Sequence, residues 1–162
     1  MMITIRRFSP GDETQVKNLV TEIMNGEFHD SKAAYPTDDI ENINRTYGGL
    51  GEAFFVACDR DKVIGTVAIK KEEDRVALLR RLFVALPYRS QQIGVKLIDH
   101  ALEFCAEVGY DEVIFKTTSA MKRAIEICKK KGFIQRAKLT LGPTELFKFS
   151  FSLRGGIPSK VK

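Results

Sequence analysis

Leu82-Phe83-Val84-Ala85-Leu86-Pro87-Tyr88-Arg89-Ser90-Gln91-Gln92-Ile93-Gly94-Val95-Lys96-Leu97 runs from an apolar segment, through a proline, into polar residues that pass into helical spacing. The first part reads as a strand. Pro87 pushes the residue before it out of helical geometry and stops that strand. A helix then begins near Ile93. The first N–H groups of a helix have no internal partner, and the positive end of the helix dipole lies beside them. Such an end holds anions. Gly94 lets a ligand approach the backbone closely, and Arg89 adds a charged donor. The guest expected from these residues is a phosphate or pyrophosphate.

The pattern continues on both sides. Downstream, Ile93, Leu97, Ile98, Ala101, Leu102, Cys105 and Val108 form one apolar stripe, and Gly109 ends the helix as a left-handed cap. Glu112 to Lys116 reads as a strand. Ser119 is the expected cap of a helix carrying Ala120, Ala124, Ile125 and Cys128, closed by Gly132. Phe133 to Lys138 is a strand. In Glu145 to Leu153, Phe147, Phe149, Phe151 and Leu153 alternate with polar residues.

Upstream, strands are expected at Met2 to Arg7, Ala53 to Cys58, Val63 to Lys70 and Arg75 to Val84, the last three joined by tight turns. Ser9-Pro10-Gly11-Asp12 starts a helix that carries Val16, Leu19, Val20 and Ile23. Residues 26–51 are the least patterned. They hold His29, Tyr35, Tyr47, a short helix from Asp38 to Asn44, and Gly48-Gly49-x-Gly51 as the entry to the next strand. The strands at 75–84 and 112–116 are bridged by a helix and should run parallel, whereas the others pair antiparallel.

The 162 residues, 44% apolar and 29% charged, fit one globular domain, 1–153, with 154–162 as a tail. No apolar run reaches the roughly 20 residues that span a bilayer. Met1 to Asp12 lacks an apolar signal core, so a cytoplasmic protein is expected without membrane attachment. Three cysteines without CxxC spacing and only two histidines give no metal-ligand pattern, and no metal is expected. The net charge of +5 suits an anionic ligand. Lys129, Lys130 and Lys131 complement a helix C-terminus. Basic and aromatic residues are not interleaved as in an RNA-binding motif, so no nucleic-acid partner is expected.

The 82–97 segment resembles motif A of the GNAT superfamily of N-acetyltransferases, Arg/Gln-x-x-Gly/Ala-x-Gly/Ala, often preceded by Val-x-Pro-x-Tyr-Arg. Val84-Ala85-Leu86-Pro87-Tyr88-Arg89 is similar to that lead-in with one extra residue, and Arg89, Ile93 and Gly94 match. Ala124 to Phe133 resembles motif B, Ala-x-x-x-Tyr-x-x-x-Gly-Phe. The opening strand and helix entry, and the hairpin from Phe54 to Val67, are similar as well, so the resemblance runs from residue 2 to 153. It implies an α/β (α+β) fold: a mixed, mostly antiparallel sheet of about seven strands, flanked by about four helices, with a splayed parallel pair forming an acyl-CoA cleft. It also implies acetyl-CoA as cosubstrate. The pantetheine arm would bond the backbone of Leu82, Phe83 and Val84, and the pyrophosphate would lie on the N–H groups of Gln91, Gln92, Ile93, Gly94 and Val95, beside Arg89 and Ser90.

The implied reaction moves an acetyl group to a primary amine of a small molecule or protein by direct attack. Three positions depart from the family pattern: Gln92 replaces a small residue, Met121 replaces an Asn, and Cys128 replaces the motif B Tyr that often protonates the leaving thiolate. Cys128 is therefore the candidate general acid, with helix packing as its alternative role. Candidate bases are Glu27, His29 and Glu52. The departures also motivate a second reading, an acyl-CoA-binding sensor or assembly module. Family members often form homodimers, and Glu145 to Leu153 offers a candidate edge.

Overall fold

The computed structural model describes residues 2–28 and 36–154. Seven strands form one sheet in the order β1-β2-β3-β4-β5-β7-β6. They are β1 Ile3–Arg7, β2 Ala53–Asp59, β3 Lys62–Glu73, β4 Val76–Val84, β5 Glu112–Thr118, β6 Ile134–Leu141 and β7 Thr144–Ser152. Among the described residues only β4 and β5 pair in parallel, joined by the crossover through α4.

The helices are α1 Glu13–Gly26, α2 Asp38–Glu41, α3 Ile43–Thr46, α4 Ile93–Val108 and α5 Lys122–Lys131. Short 3-10 turns at Pro10–Asp12 and Leu86–Tyr88 lead into the segments before α1 and α4. Gly109 and Gly132 adopt φ 101° and 105° at the ends of α4 and α5, the left-handed caps read from the sequence.

Six consecutive residues of β2 are buried, Ala53 to Cys58, because helices cover both faces of the sheet centre. Phe55 meets Phe104 and His100 of α4 edge-on, at 5.6 and 4.6 Å. Phe54, on the opposite face, packs on Phe8 and on Tyr47 just after α3. Gly65 of β3 is the close-approach point: a Cβ there would lie 3.0 Å from Leu97 Cδ1 and 3.1 Å from the Phe83 carbonyl oxygen. A side chain at Gly65 would have to displace Leu97 of α4 or the neighbouring β4 backbone.

Four local expectations are corrected. The helix from Asp38 breaks at Asn42 into α2 and α3, with Asn42 at φ −143°. Ser119 does not cap α5; the chain turns at Ser119 and Ala120, and α5 starts at Lys122 after Met121. The strand after Gly132 runs to Leu141, longer than the hydrophobic pattern marked. Finally, β7 is not an edge. It lies between β5 and β6, so the edge strand is β6, whose eight residues are all exposed. Its exposed positions include Ile134, Leu139 and Leu141. Residues 155–162, most of the tail, lie outside the described residues.

Candidate active site

The site is built where β4 departs from regular geometry. Opposite β3, the register shifts between Thr66 and Ala68, and Arg81 takes φ 57°, a bulge in β4. Left-handed backbone at a residue with a Cβ is costly and persists only where the surroundings hold it. Here they hold both ends of the residue. Thr66 Oγ1 donates to the Arg81 carbonyl at 2.7 Å. The Arg81 guanidinium donates to Asp39 at 2.5 and 2.9 Å and to the Pro36 carbonyl, and Tyr47 donates its hydroxyl to Asp39 at 2.6 Å. Burial by itself would raise the Asp39 carboxyl, but the bonds from Arg81 and Tyr47 and the charges of Arg81 and Arg80 hold it below its usual value. Burial and the same hydrogen bond push the Tyr47 hydroxyl up.

Beyond the bulge the parallel pair opens. β4 and β5 pair only from Val76↔Glu112 to Leu79↔Phe115, although β4 continues to Val84 and β5 to Thr118. The splay expected at their C-terminal ends is therefore present. It leads into a cavity of about 560 Å³ between the end of β4, the loop before α4, and α5. Leu82, Phe83, Val84, Arg89, Ser90, Gln92, Ile93, Gly94 and Val95 all line it. Gln91 is exposed and lies outside its lining.

The loop is left-handed twice, at Ser90 (φ 69°) and at Gln92 (φ 64°), the cap of α4. Positive φ is the conformation glycine adopts freely, so a small residue at position 92 would have a backbone reason. Gln92 takes the same backbone with its side chain exposed. The first bond of α4 runs from Lys96 N–H to the Gln92 carbonyl at 3.0 Å. It leaves the N–H groups of Ile93, Gly94 and Val95 ahead of the helical ladder, at the cavity wall.

Arg89 lines the cavity and is engaged by protein groups. Its Nε donates to the Val84 carbonyl at 3.0 Å, and its two terminal nitrogens grip Glu27 at 2.7 and 2.6 Å. It fastens the turn before α4 to the end of α1. The same pair engages Glu27, one of the candidate bases. Glu52 is engaged too. It accepts from Lys70 at 2.9 Å and from the N–H groups of Gly49 and Lys71, which closes the glycine-rich loop at 48–51 onto β3. His29 and Tyr35 lie outside the described residues.

Cys128 is not brought into the cavity. It is fully buried and absent from the cavity wall, and burial pushes its thiol up to about 12. The cleft face of α5 is instead carried by Arg123, Ala124, Ile127 and Lys130, with Lys122 and Met121 at its start. The sequence held this signal, since 123, 127 and 130 recur at helical spacing one step round from the core stripe. Cationic side chains outnumber carboxylates on this wall: Arg89, Lys122, Arg123 and Lys130 against Glu27 and Glu126.

A second cavity of about 240 Å³ adjoins the first, sharing Leu82, Phe83 and Met121 and extending toward the last paired residues, Leu79 and Phe115. Among the described residues no group of three or more His, Cys, Asp or Glu side chains is placed to hold a metal ion, and no helix is long and apolar enough to cross a membrane.

A mixed seven-stranded sheet, whose one parallel pair splays beside the start of a helix, is the architecture of the acyltransferase class. Comparison with known proteins gives the family. The model of the acetyltransferase (GNAT) family matches residues 17–137, and the chain belongs to that family. Among curated proteins it is 27% identical over 127 residues to a probable N-acetyltransferase camello of Xenopus tropicalis, covering 76% of this chain and 58% of that one. The chain thus spans little more than half the length of that relative. Two solved structures share the fold. A GNAT-family acetyltransferase from Staphylococcus aureus superposes with a TM-score of 0.79 at 21% identity, covering 94% of this chain and 99% of that one. A putative acetyltransferase from Salmonella typhimurium, solved with its cofactor acetyl-CoA, gives 0.77 at 16% identity, covering 93% and 94%.

Proposed function

We propose that this protein is an N-acetyltransferase, using acetyl-CoA as cosubstrate and a primary amine as acceptor, with residues 1–153 acting as one domain. The observation that carries this reading is the splay beyond Leu79 and Phe115. It joins a 560 Å³ cavity, bounded by the start of α4, to a smaller cavity further along the same strands. The residues fit a long, anion-headed thioester. The N–H groups of Ile93, Gly94 and Val95 would hold a pyrophosphate, and Lys122, Arg123 and Lys130 add positive charge along the same wall. The backbone from Leu82 to Val84, freed by the bulge at Arg81, would pair with the pantetheine arm as an added strand does.

Bound acetyl-CoA supplies the activated acetyl group. The chain's own part is to orient the two reactants and exclude water between Leu82, Phe83 and Met121. Transfer forms a C–N bond and breaks the C–S bond, and the amine proton leaves to water. Cys128 takes no part: the thiolate departs without a protein donor, and the Cys128 side chain packs α5 on the sheet. The departure of Cys128 from the motif B Tyr also favours the second reading, a module that binds acyl-CoA without efficient transfer.

Calorimetric titration with acetyl-CoA, with CoA, ATP and NAD as comparison ligands, tests the reading. Binding of acetyl-CoA with ATP and NAD silent is the expected result, followed by CoA release with an amine. Binding without turnover on any amine would leave the sensor reading, and no heat with any CoA ester would refute both.

A further inference from the structure

The smaller cavity suggests what the acceptor carries beside its amine. Among the described residues its charged lining is Arg80, Arg81 and Lys116, without a carboxylate. Arg81 is neutralised by Asp39 behind it. Arg80 and Lys116 are less closely paired. Arg80 acts on Asp39 through its charge alone, and Lys116, 56% exposed, pairs at 3.3 Å with Glu72, which is not on the cavity wall. Arg80 has no hydrogen-bond or ion-pair partner among the described residues.

The sheet register sharpens this. Lys116 of β5 lies directly opposite Lys148 of β7. Arg80 follows Leu79, the last β4 residue in register with β5, as Lys116 follows Phe115. Lys116 and Lys148 therefore stand side by side on β5 and β7, and Arg80 lies one residue past the last β4–β5 pair; Arg80 and Lys116 line the smaller cavity, and Lys148 does not. Like charges directly opposite one another destabilise a sheet unless an anion lies between or above them.

We propose that the acceptor is a small amine bearing a carboxylate close to its amino group, an α-amino acid or a derivative of one, with the carboxylate held by Arg80 and Lys116. The proposal rests on the transferase reading and names the substrate class of that same site. The cavity, about 240 Å³, is of amino-acid size, which favours a small molecule over a peptide. The same cations serve the chemistry. Positive charge near an ammonium lowers its pKa, so more of the amine is neutral and nucleophilic.

The test compares α-amino acids, from glycine to phenylalanine, with their carboxamides, scoring kcat/KM by CoA release. The carboxylates should be preferred by about tenfold or more, the scale of one charge-assisted hydrogen bond. Arg80→Gln and Lys116→Gln should each erode that preference, mainly through KM, while the acetyl-CoA Kd and the melting temperature stay within error of the parent. Added salt should erode it as well. Equal or better use of the carboxamides would overturn the proposal, as would a preference that survives both substitutions. A preference for peptides with acidic N-terminal sequences would overturn it in favour of a protein acceptor. If no carboxylated amine reacts, or binds to the acetyl-CoA-loaded protein by calorimetry, the proposal fails while the cosubstrate reading stands. If acetyl-CoA itself does not bind, the transferase reading fails and takes the proposal with it.

Discussion

Replacing Asp39 by Asn keeps the shape of the buried network and removes its charge. The Asp39 carboxylate takes two bonds from Arg81, at 2.5 and 2.9 Å, and one from Tyr47 at 2.6 Å. The two charged side chains are 4% and 6% exposed. An amide in place of the carboxylate leaves a guanidinium buried without a counter-charge, which costs about 3–5 kcal/mol. In a chain of this length each kcal/mol moves Tm by about 2–4 °C, so the melt should fall by roughly 6–20 °C. Urea unfolding followed by circular dichroism gives the free energy directly. The double variant Asp39→Leu with Arg81→Met removes both charges and should recover much of the loss, because paired removal strands neither ion. A loss below about 1 kcal/mol in Asp39→Asn would refute the reasoning, as would a double variant no more stable than the single one.

The same residue sets an acid limb. Burial pushes the Asp39 carboxyl up, but Arg81 and Tyr47 outweigh it, and the folded value lies below the ordinary 3.8. The unfolded chain therefore takes up this proton first as pH falls. The stabilisation is complete above the ordinary value and is lost as pH drops through the folded one. Asp39→Asn should flatten this part of the stability profile between about pH 5 and 2, while Asp12, held low by Arg6, contributes in both proteins. An unchanged slope would remove Asp39 from the account.

Three further substitutions test the cleft. Cys128→Ala should leave kcat within a factor of about three and lower stability by about 1 kcal/mol, as removal of a small buried group does; a tenfold fall in kcat at unchanged Tm would restore the thiol as a proton donor. Glu27→Gln frees Arg89 and removes a negative charge from the cavity wall, so acetyl-CoA should bind several-fold more tightly at low salt, and weaker binding would show that the pair preorganises the loop. Gly94→Ala would put a Cβ 2.9 Å from Ile127 Cδ1, across the cleft. Calorimetry should show weaker acetyl-CoA binding without a fall in the unliganded Tm, since Ala suits a helix better than Gly; a lower Tm would mean that the glycine serves packing instead.

Much of the fold was legible because each element carries its own period and its own stop. Pro87 ends β4, Gly109 and Gly132 end α4 and α5, and the bridging helix makes β4 and β5 parallel. The elements that were misread lacked a local signal. Asn42 breaks a helix of only two turns, and Met121, not Ser119, precedes α5, because tertiary packing outweighs a single capping preference. The assignment of the edge to β7 failed because alternation shows which residues are buried, not which strand lies alongside.

For the site, the passage of Leu82 to Val95 from strand through turn to helix could be read from the sequence, while the assignment of these residues as cofactor contacts rests on the family resemblance. Their use could not be read in the same way. Whether Arg89 stands free depends on Glu27, which is 62 positions away in the chain. Whether Cys128 faces the cleft or the core depends on how α5 is rotated against the sheet. The bulge at Arg81 is held by Asp39, Tyr47 and Thr66, from three separate segments, and Arg80 and Lys116 meet at one cavity only when β4 and β5 pair. Backbone conformation and periodicity are set by neighbours along the chain. Charge pairing, burial and cavity walls are set by neighbours across it, and those exist only once the sheet has formed.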